Sequence, residues 1–171
     1  MIEYREADLF DVIPEFARGV VVAHVCNNIG AWGAGFTRAL SQRFPETERA
    51  FRVWSDPRRL GQGPVRVHTT SGRYALGAVQ LVRLSDAVSV VNMVAQVGIG
   101  VGPRLDYAAL GTCLSYLAVA GPVQDAGVVL VPRLGCGLAG GSWAKVEPLL
   151  AQHLAHARVV VCTRPGEKFN P

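Results

Sequence analysis

The feature that most constrains this chain is a set of short apolar runs, rich in β-branched residues and closed off by Gly, Pro or Asn: GVVVAHVC (19–26), VSVVNMVA (88–95), GVVLVPRL (127–134) and RVVVCT (158–163). Each has the length and composition of a buried strand. Stretches with helical spacing lie between them. Phe36, Leu40 and Phe44 recur at helical intervals, so a helix is expected over 36–43, stopped at Phe44-Pro45, with a second over 46–54. AVQLVRL (78–84) reads as a strand paired with 88–95 through a turn at Ser85-Asp86, and 105–119 as a helix with Asp106 near its N-terminus. A last helix should reach about residue 155; Pro148 fits poorly inside it, so an initial turn over 142–147 is expected, with the main helix starting at Pro148. Strands alternating with helices specify a layered α/β domain with a largely parallel sheet and right-handed crossovers.

The 171 residues suffice for one domain with a real core. A net charge of +4 permits a phosphorylated ligand or nucleic acid without requiring either. No apolar run approaches a membrane span. The first residues, MIEYREADLF, alternate charge and have no secretory apolar core, so Cys26, Cys113, Cys136 and Cys162 are expected as thiols in a reducing cytoplasm. None of them has CxxC spacing, and neither a metal nor a cofactor is implied.

CNNIGAWGAGF (26–36) and GCGLAGG (135–141) share one design: each follows a buried strand and precedes a helix. In a parallel sheet both lie at the carboxyl edge, where ligands bind. Glycines admit close backbone approach, and a helix start adds free N–H donors, so two facing loops can cradle a diphosphate. GAWGAG has the reverse of GxGxxG spacing, and there is no GK[ST]. For either loop alone a tight connection is an adequate account; the pair favours a ligand site. Asn27 and Asn28 suit sugar hydroxyls, although an Asx-turn at the strand end explains one of them equally well. Trp32 walls a sugar or anchors its loop in the core.

HVCNNIGAWGAGFTRALSQRFP (24–45), VPRLGCGLAGGSW (131–143) and YREADLFD (4–11) together resemble the ordered motifs of the macrodomain family. The nearer likeness is to the branch holding terminal ADP-ribose protein glycohydrolase, the yeast-type ADP-ribose-1''-phosphatase and the DNA ADP-ribosyl glycohydrolase antitoxin. The resemblance implies one three-layer α/β/α domain over 1–171 with a mixed, largely parallel central sheet; it does not extend over 55–73, whose Gly, Pro and Arg content reads as a variable loop insertion with room for a short hairpin, or over the tail at 164–171. It implies an ADP-ribose cleft with Asp8 on the adenine amino group, Leu9 beside the base and Thr163 near it. Asn27 would contact the distal ribose. Gly33, Ala34, Gly35 and Phe36 would flank the diphosphate on one side, and Gly135, Cys136, Gly137 and Leu138 on the other.

The chain departs from the branch where glycohydrolases carry a lysine and an acid: Gln96 and Ala139 stand there, and no lysine lies between Met1 and Ala144. Ala7 replaces a glycine of the first motif. A lysine–ribose covalent route is therefore closed. What remains is hydrolysis by positioning and electrostatics, with Asn27 and Asn28 orienting the ribose and a water and a diphosphate oxygen assisting. The acceptor is an acidic side chain or a DNA base. A non-catalytic ADP-ribose reader and an ADP-ribose-1''-phosphatase are the rivals, and a monomer is the default. His24 lies in a strand and reads as a core histidine, Asp106 as a cap. Cys136 is a thiol that loop amides could activate, and His68 falls in the variable loop. Arg49, Arg52, Arg58, Arg59, Arg66 and Arg73 form either a basic rim for an acidic acceptor or a solvated surface.

Overall fold

The computed structural model describes residues 1–17, 19–56, 58, 66–69, 74–100, 102–125, 127–169 and 171. In it the apolar runs become strands of one seven-stranded sheet, ordered β1-β7-β6-β2-β5-β4-β3. The strands are β1 (Ile2–Glu6), β2 (Val20–Asn27), β3 (Arg66–Thr69), β4 (Val79–Arg83), β5 (Val88–Gln96), β6 (Val128–Val131) and β7 (Val159–Thr163). Strands β1, β7, β6, β2 and β5 run parallel, while β4 and β3 pair antiparallel at one edge. The sheet is thus mixed and largely parallel. Helices α1 (Leu9–Val12), α2 (Phe36–Arg43), α3 (Pro45–Ser55), α4 (Tyr107–Val119), α5 (Gly121–Gln124) and α6 (Trp143–His153) complete the layers. One core forms between the sheet and α4 with α6; the other lies under α1 and α2. Burial on both faces explains why β2 and β6 lack apolar–polar alternation.

The buried strands carry three polar side chains that satisfy one another. His24 Nε2 lies 2.6 Å from Asn92 Oδ1, Asn92 Nδ2 donates to Gln80 Oε1 at 2.8 Å, and Gln80 Nε2 donates to the Ala50 carbonyl at 3.0 Å. The chain of bonds ties β2, β5 and β4 to α3.

Two expectations change, and two segments gain detail. Helix α6 is continuous through Pro148 rather than starting there. Proline removes the bond to the Ala144 carbonyl, and the loss falls on the exposed face of the helix, where Ala144 and Pro148 lie, while Trp143, Val146 and Leu150 pack inward. Leu105 is not helical: it bridges Gln96, and α4 starts after Asp106, whose carboxylate caps the Ala109 N–H at 2.9 Å. Residues 2–6, given no element above, form β1 because the parallel edge of β7 accepts them. The segment after β7 is no loose tail. Phe169 packs against the core and the Ser142 hydroxyl donates to the Pro171 carbonyl at 2.6 Å.

Most of the 55–73 insertion, Arg59, Arg73 and the side chains of Arg66 and His68 lie outside the described residues; 66–69 forms β3, paired with β4.

Candidate functional site

Because five strands are parallel, their carboxyl ends share one edge, and the connections leaving them gather there. The loop after β2 (28–35) and the loop between β6 and α6 (132–142) meet directly. A Cβ placed on Gly35 would stand 3.1 Å from Leu138 Cδ1. Leu138 itself is 69% exposed and spans the two loops.

Each loop leaves a run of backbone amides unpaired among the described residues. The N–H groups of Ile29 and Ala31 are taken by Asn27 Oδ1 at 3.1 and 3.0 Å, and that of Gly33 by Thr37 Oγ1 at 3.2 Å. Those of Ala34, Gly35 and Phe36 have no acceptor among the described residues. Gly35 is the N-cap of α2 with φ 57°, a left-handed value that a side chain would oppose. In the second loop the amides of Gly137, Leu138 and Ala139 are likewise without an acceptor among the described residues. Two triplets of free donors, one of them at a helix start, give these loops the groups that an anion cradle requires.

Beside the cradle lies a small crevice of about 10 Å³ lined by Ala7, Asp8, Leu9, Phe10, Phe36 and Arg164, with Pro132, Cys162 and Glu167. Phe36 stacks on Phe10 with centroids 5.5 Å apart. Asp8 caps α1 by accepting from the Phe10 N–H at 2.9 Å, and its other oxygen stands 3.8 Å from Arg164 Nε. Asp8, Leu9 and Phe36 are therefore brought together. Thr163 lies next to Cys162 and accepts from Arg133 Nε at 3.0 Å.

The two asparagines are both engaged. Asn27 is 8% exposed; its oxygen takes two loop amides and its Nδ2 donates to the Ala31 carbonyl at 2.7 Å. One amide hydrogen remains. Asn28 Oδ1 accepts from the Gly98 N–H at 2.8 Å, which fixes its amide orientation and leaves Nδ2 without a partner among the described residues. Trp32 anchors its loop: its indole N–H donates to Ser41 Oγ at 2.6 Å and its ring packs 4.8 Å from Phe51. Gln96 Nε2 donates to the Gly98 carbonyl at 2.8 Å. Ala139 is buried, and its carbonyl accepts from Arg104 and Leu105.

Two ionisable candidates are settled against chemistry. Burial pushes the Cys136 thiol up to about 11, more than the nearby Arg133 lowers it, so the loop does not activate Cys136. Burial pushes His24 down to about 4 against the opposing effect of the hydrogen bond it donates to Asn92 Oδ1, so it stays neutral in the core. Arg49, Arg52 and Arg58 pair with Glu46, Glu48 and Asp56 of their own segment, at 3.6, 2.7 and 3.0 Å.

Sequence reasoning missed three contributors. VGIGVGPR (97–104) is a third glycine loop after a buried strand, the same signal read in the other two; Gly98 joins it to Asn28, and Gly140 packs on Gly102 and Pro103 backbone at 3.1 Å. Arg164 and Glu167 line the crevice because the terminal segment folds back, with Glu167 accepting the Arg164 N–H at 3.1 Å. Arg133 lies among the rings of Tyr4, Trp143 and Phe169 at 4.8, 4.5 and 4.1 Å, which holds that segment down. Nothing in the spacing announced either.

No family model matches the chain. The structure of a macrodomain protein from Streptomyces coelicolor superposes with a TM-score of 0.76 at 35% identity, covering 96% of this chain and 99% of that one. An uncharacterized 17.5 kDa protein of Enterobacteria phage T4 is 26% identical over 157 residues, 88% of this chain and 90% of the relative. The ADP-ribose 1''-phosphate phosphatase of Candida albicans is 33% identical over 51 residues, 30% of this chain and 33% of the phosphatase.

Proposed function

The chain belongs to the macrodomain family, and on that premise we propose that it binds ADP-ribose and hydrolyses mono-ADP-ribose from a modified acidic side chain or DNA base. The observation that carries the reading is the pair of free amide triplets at 34–36 and 137–139, on two loops that meet at Gly35 and Leu138, beside a crevice lined by Leu9, Phe10 and Phe36 with the carboxylates of Asp8 and Glu167. That order of features fits a base, then a diphosphate. Adenine stacks at Phe36 and Leu9, its amino group on Asp8, with Thr163 close by. The diphosphate takes the free loop amides of Ala34, Gly35 and Phe36 on one side and of Gly137, Leu138 and Ala139 on the other, with Gly33, Gly135 and Cys136 flanking it. The distal ribose lies toward Asn27, Asn28, Trp32, Gln96 and Ala139. The partial match to an ADP-ribose 1''-phosphate phosphatase supports the ligand class.

Chemistry here has little to work with besides position. Loops 27–36, 96–105 and 135–142 contain no carboxylate and no lysine. In the proposed step a water oxygen bonds to the distal ribose C1'', the bond from C1'' to the acceptor oxygen or nitrogen breaks, and the acceptor keeps the electron pair. The water proton passes to a diphosphate oxygen and on to solvent or the leaving acceptor. Asn28, with the freer carboxamide, holds the ribose; Asn27 orders the turn and offers one hydrogen. Labile esters of glutamate or aspartate are the substrates such a site turns over most readily. We take the protein to act as a monomer in a reducing cytoplasm; its four free, buried thiols support that setting.

The same lack of acid and lysine favours one second reading, a reader that binds and releases nothing. Incubation with a peptide carrying ADP-ribose on glutamate separates the two. Release of free ADP-ribose, reduced in Asn28→Ala and Asn27→Ala, is the expected result. Binding of ADP-ribose without release from peptide or from ADP-ribosylated DNA leaves the reader, and inorganic phosphate from ADP-ribose-1''-phosphate points to the phosphatase.

A further inference from the structure

We propose that Tyr74 is a positioning residue of the site: its hydroxyl pins the turn at 27–30 and so fixes where the asparagines and the loop amides point. The consequence for ligand rests on the ADP-ribose reading above; the clamp itself rests on geometry. The phenol oxygen accepts the Gly30 N–H at 3.0 Å, and its own O–H donates to the Asn27 carbonyl, so one group closes both ends of the turn. A hydroxyl has one donor and two acceptor positions, and this one uses both kinds. The tie comes from far along the chain, 47 residues from Asn27. The side-chain bonds of Asn27 stay within its own loop.

The ring cannot drift. It meets the edges of Phe51 and Trp54 of α3 at centroid distances of 5.5 and 5.1 Å, nearly perpendicular to both. The turn has no slack on that side either: a Cβ on Gly30 would meet Ser55 Oγ at 3.0 Å. Burial raises the phenol well above its ordinary value, more than the Gly30 N–H lowers it, so the proton needed for the bond to Asn27 is present throughout the neutral range. Without the hydroxyl, the Asn27 carbonyl and Gly30 amide lose their shared partner. Asn28, which bonds Gly98 from inside the turn, loses its fixed starting point.

Tyr74→Phe removes only the hydroxyl and keeps both ring contacts. Two ligands read it by calorimetry: ADP-ribose, which reaches the turn, and AMP, which lacks the distal ribose and its phosphate. Amide hydrogen exchange at Gly30 reads the clamp without any ligand. ADP-ribose affinity should fall about tenfold, because both hydrogen bonds that set the turn are lost. AMP affinity should barely move, melting temperature should fall by about 4 °C, and Gly30 exchange should accelerate. Unchanged ADP-ribose binding, or equal loss of both ligands, overturns the proposal, as does an equally protected Gly30. If wild type binds no ADP-ribose, the functional reading fails, and Gly30 exchange still decides the clamp.

Discussion

Loop 27–35 is tied by side-chain hydrogen bonds, whereas loop 135–141 is held by the fit of its glycines against their neighbours. Asn27, Thr37 and Tyr74 take amides of the first loop, Asn28 staples it to Gly98, and Trp32 hangs from Ser41. In the second, a Cβ on Gly135 or Gly141 would stand 2.6 or 2.4 Å from Leu105, and one on Gly140 3.1 Å from backbone of 102–103. Both arrangements leave three consecutive amides free. The difference lies in how they fail. Directional bonds can be lost one at a time, each worth about 1 kcal/mol. Close packing tolerates no added atom, because interiors relax only partly.

The sharpest way to break the contrast is Gly141→Ala. The new methyl would overlap the Leu105 side chain and the Gly135 carbonyl at 2.9 Å, and the carbonyl is backbone and cannot swing aside. A loss of about 3 kcal/mol of stability is expected, with ADP-ribose binding lost as well, read by chemical denaturation and calorimetry. Leu105→Ala in the same chain should return part of it, and a double-mutant cycle measures how much. Strict additivity of the two changes would show that the packing account of this loop is wrong.

Acid should strike the first loop and spare the second. His24 stands under it, 5.6 Å from the Trp32 ring and 5.5 Å from Phe36. Its folded value is about 4 against an ordinary 6.5. The unfolded chain therefore binds a proton that the folded chain refuses. The resulting stability is fully present above pH 6.5, is lost as pH falls toward 4, and totals about 3 kcal/mol. Denaturation of wild type and His24→Gln across that range should show a steeper decline for wild type. Parallel slopes would remove His24 as the cause.

These contrasts also mark what the sequence could tell. The runs at 19–26 and 158–163 announced their strands because burial on both faces leaves a continuous apolar signature. Residues 2–6 did not: β1 is an edge strand of mixed polarity, and its pairing with β7 depends on chain more than 150 residues away. Both cradle loops were legible from glycine after a strand, and the loop at 97–104 carried the same sign unread. Asn27 and Trp32 were legible as loop residues, but their engagement with Ala31 and Ser41 was not, since a polar side chain looks the same facing a ligand or its own backbone. Tyr74 and Arg164 reach the site only through tertiary folding, which no local spacing encodes.

A milder test cuts one bond at a time. Thr37 Oγ1 accepts the Gly33 N–H at 3.2 Å and donates to the Ala34 carbonyl at 2.8 Å. Thr37→Val keeps the shape and removes both. The position is half-exposed and water can substitute, so the stability cost should be about 1 kcal/mol or less. The larger effect belongs on ADP-ribose affinity, because Ala34 is the first of the free amides. A fall in melting temperature with affinity intact would mean that this end of the loop orders itself without Thr37.

The smallest effect belongs to Gly137→Ala, and it is the most discriminating. Gly137 sits within the free triplet, yet a Cβ there meets nothing within 4 Å and its φ is not left-handed. If packing were uniform along the second loop, alanine here would cost as much as at Gly141. If only the positions against Leu105 and the 102–103 backbone are filled, stability should change by less than about 0.5 kcal/mol, and the amide stays available. ADP-ribose binding then reports whether the open side of Gly137 faces the ligand. Retained affinity means the methyl points to water and the amide alone serves the diphosphate. Lost affinity with an unchanged melting temperature means the space that glycine leaves open is where the diphosphate lies.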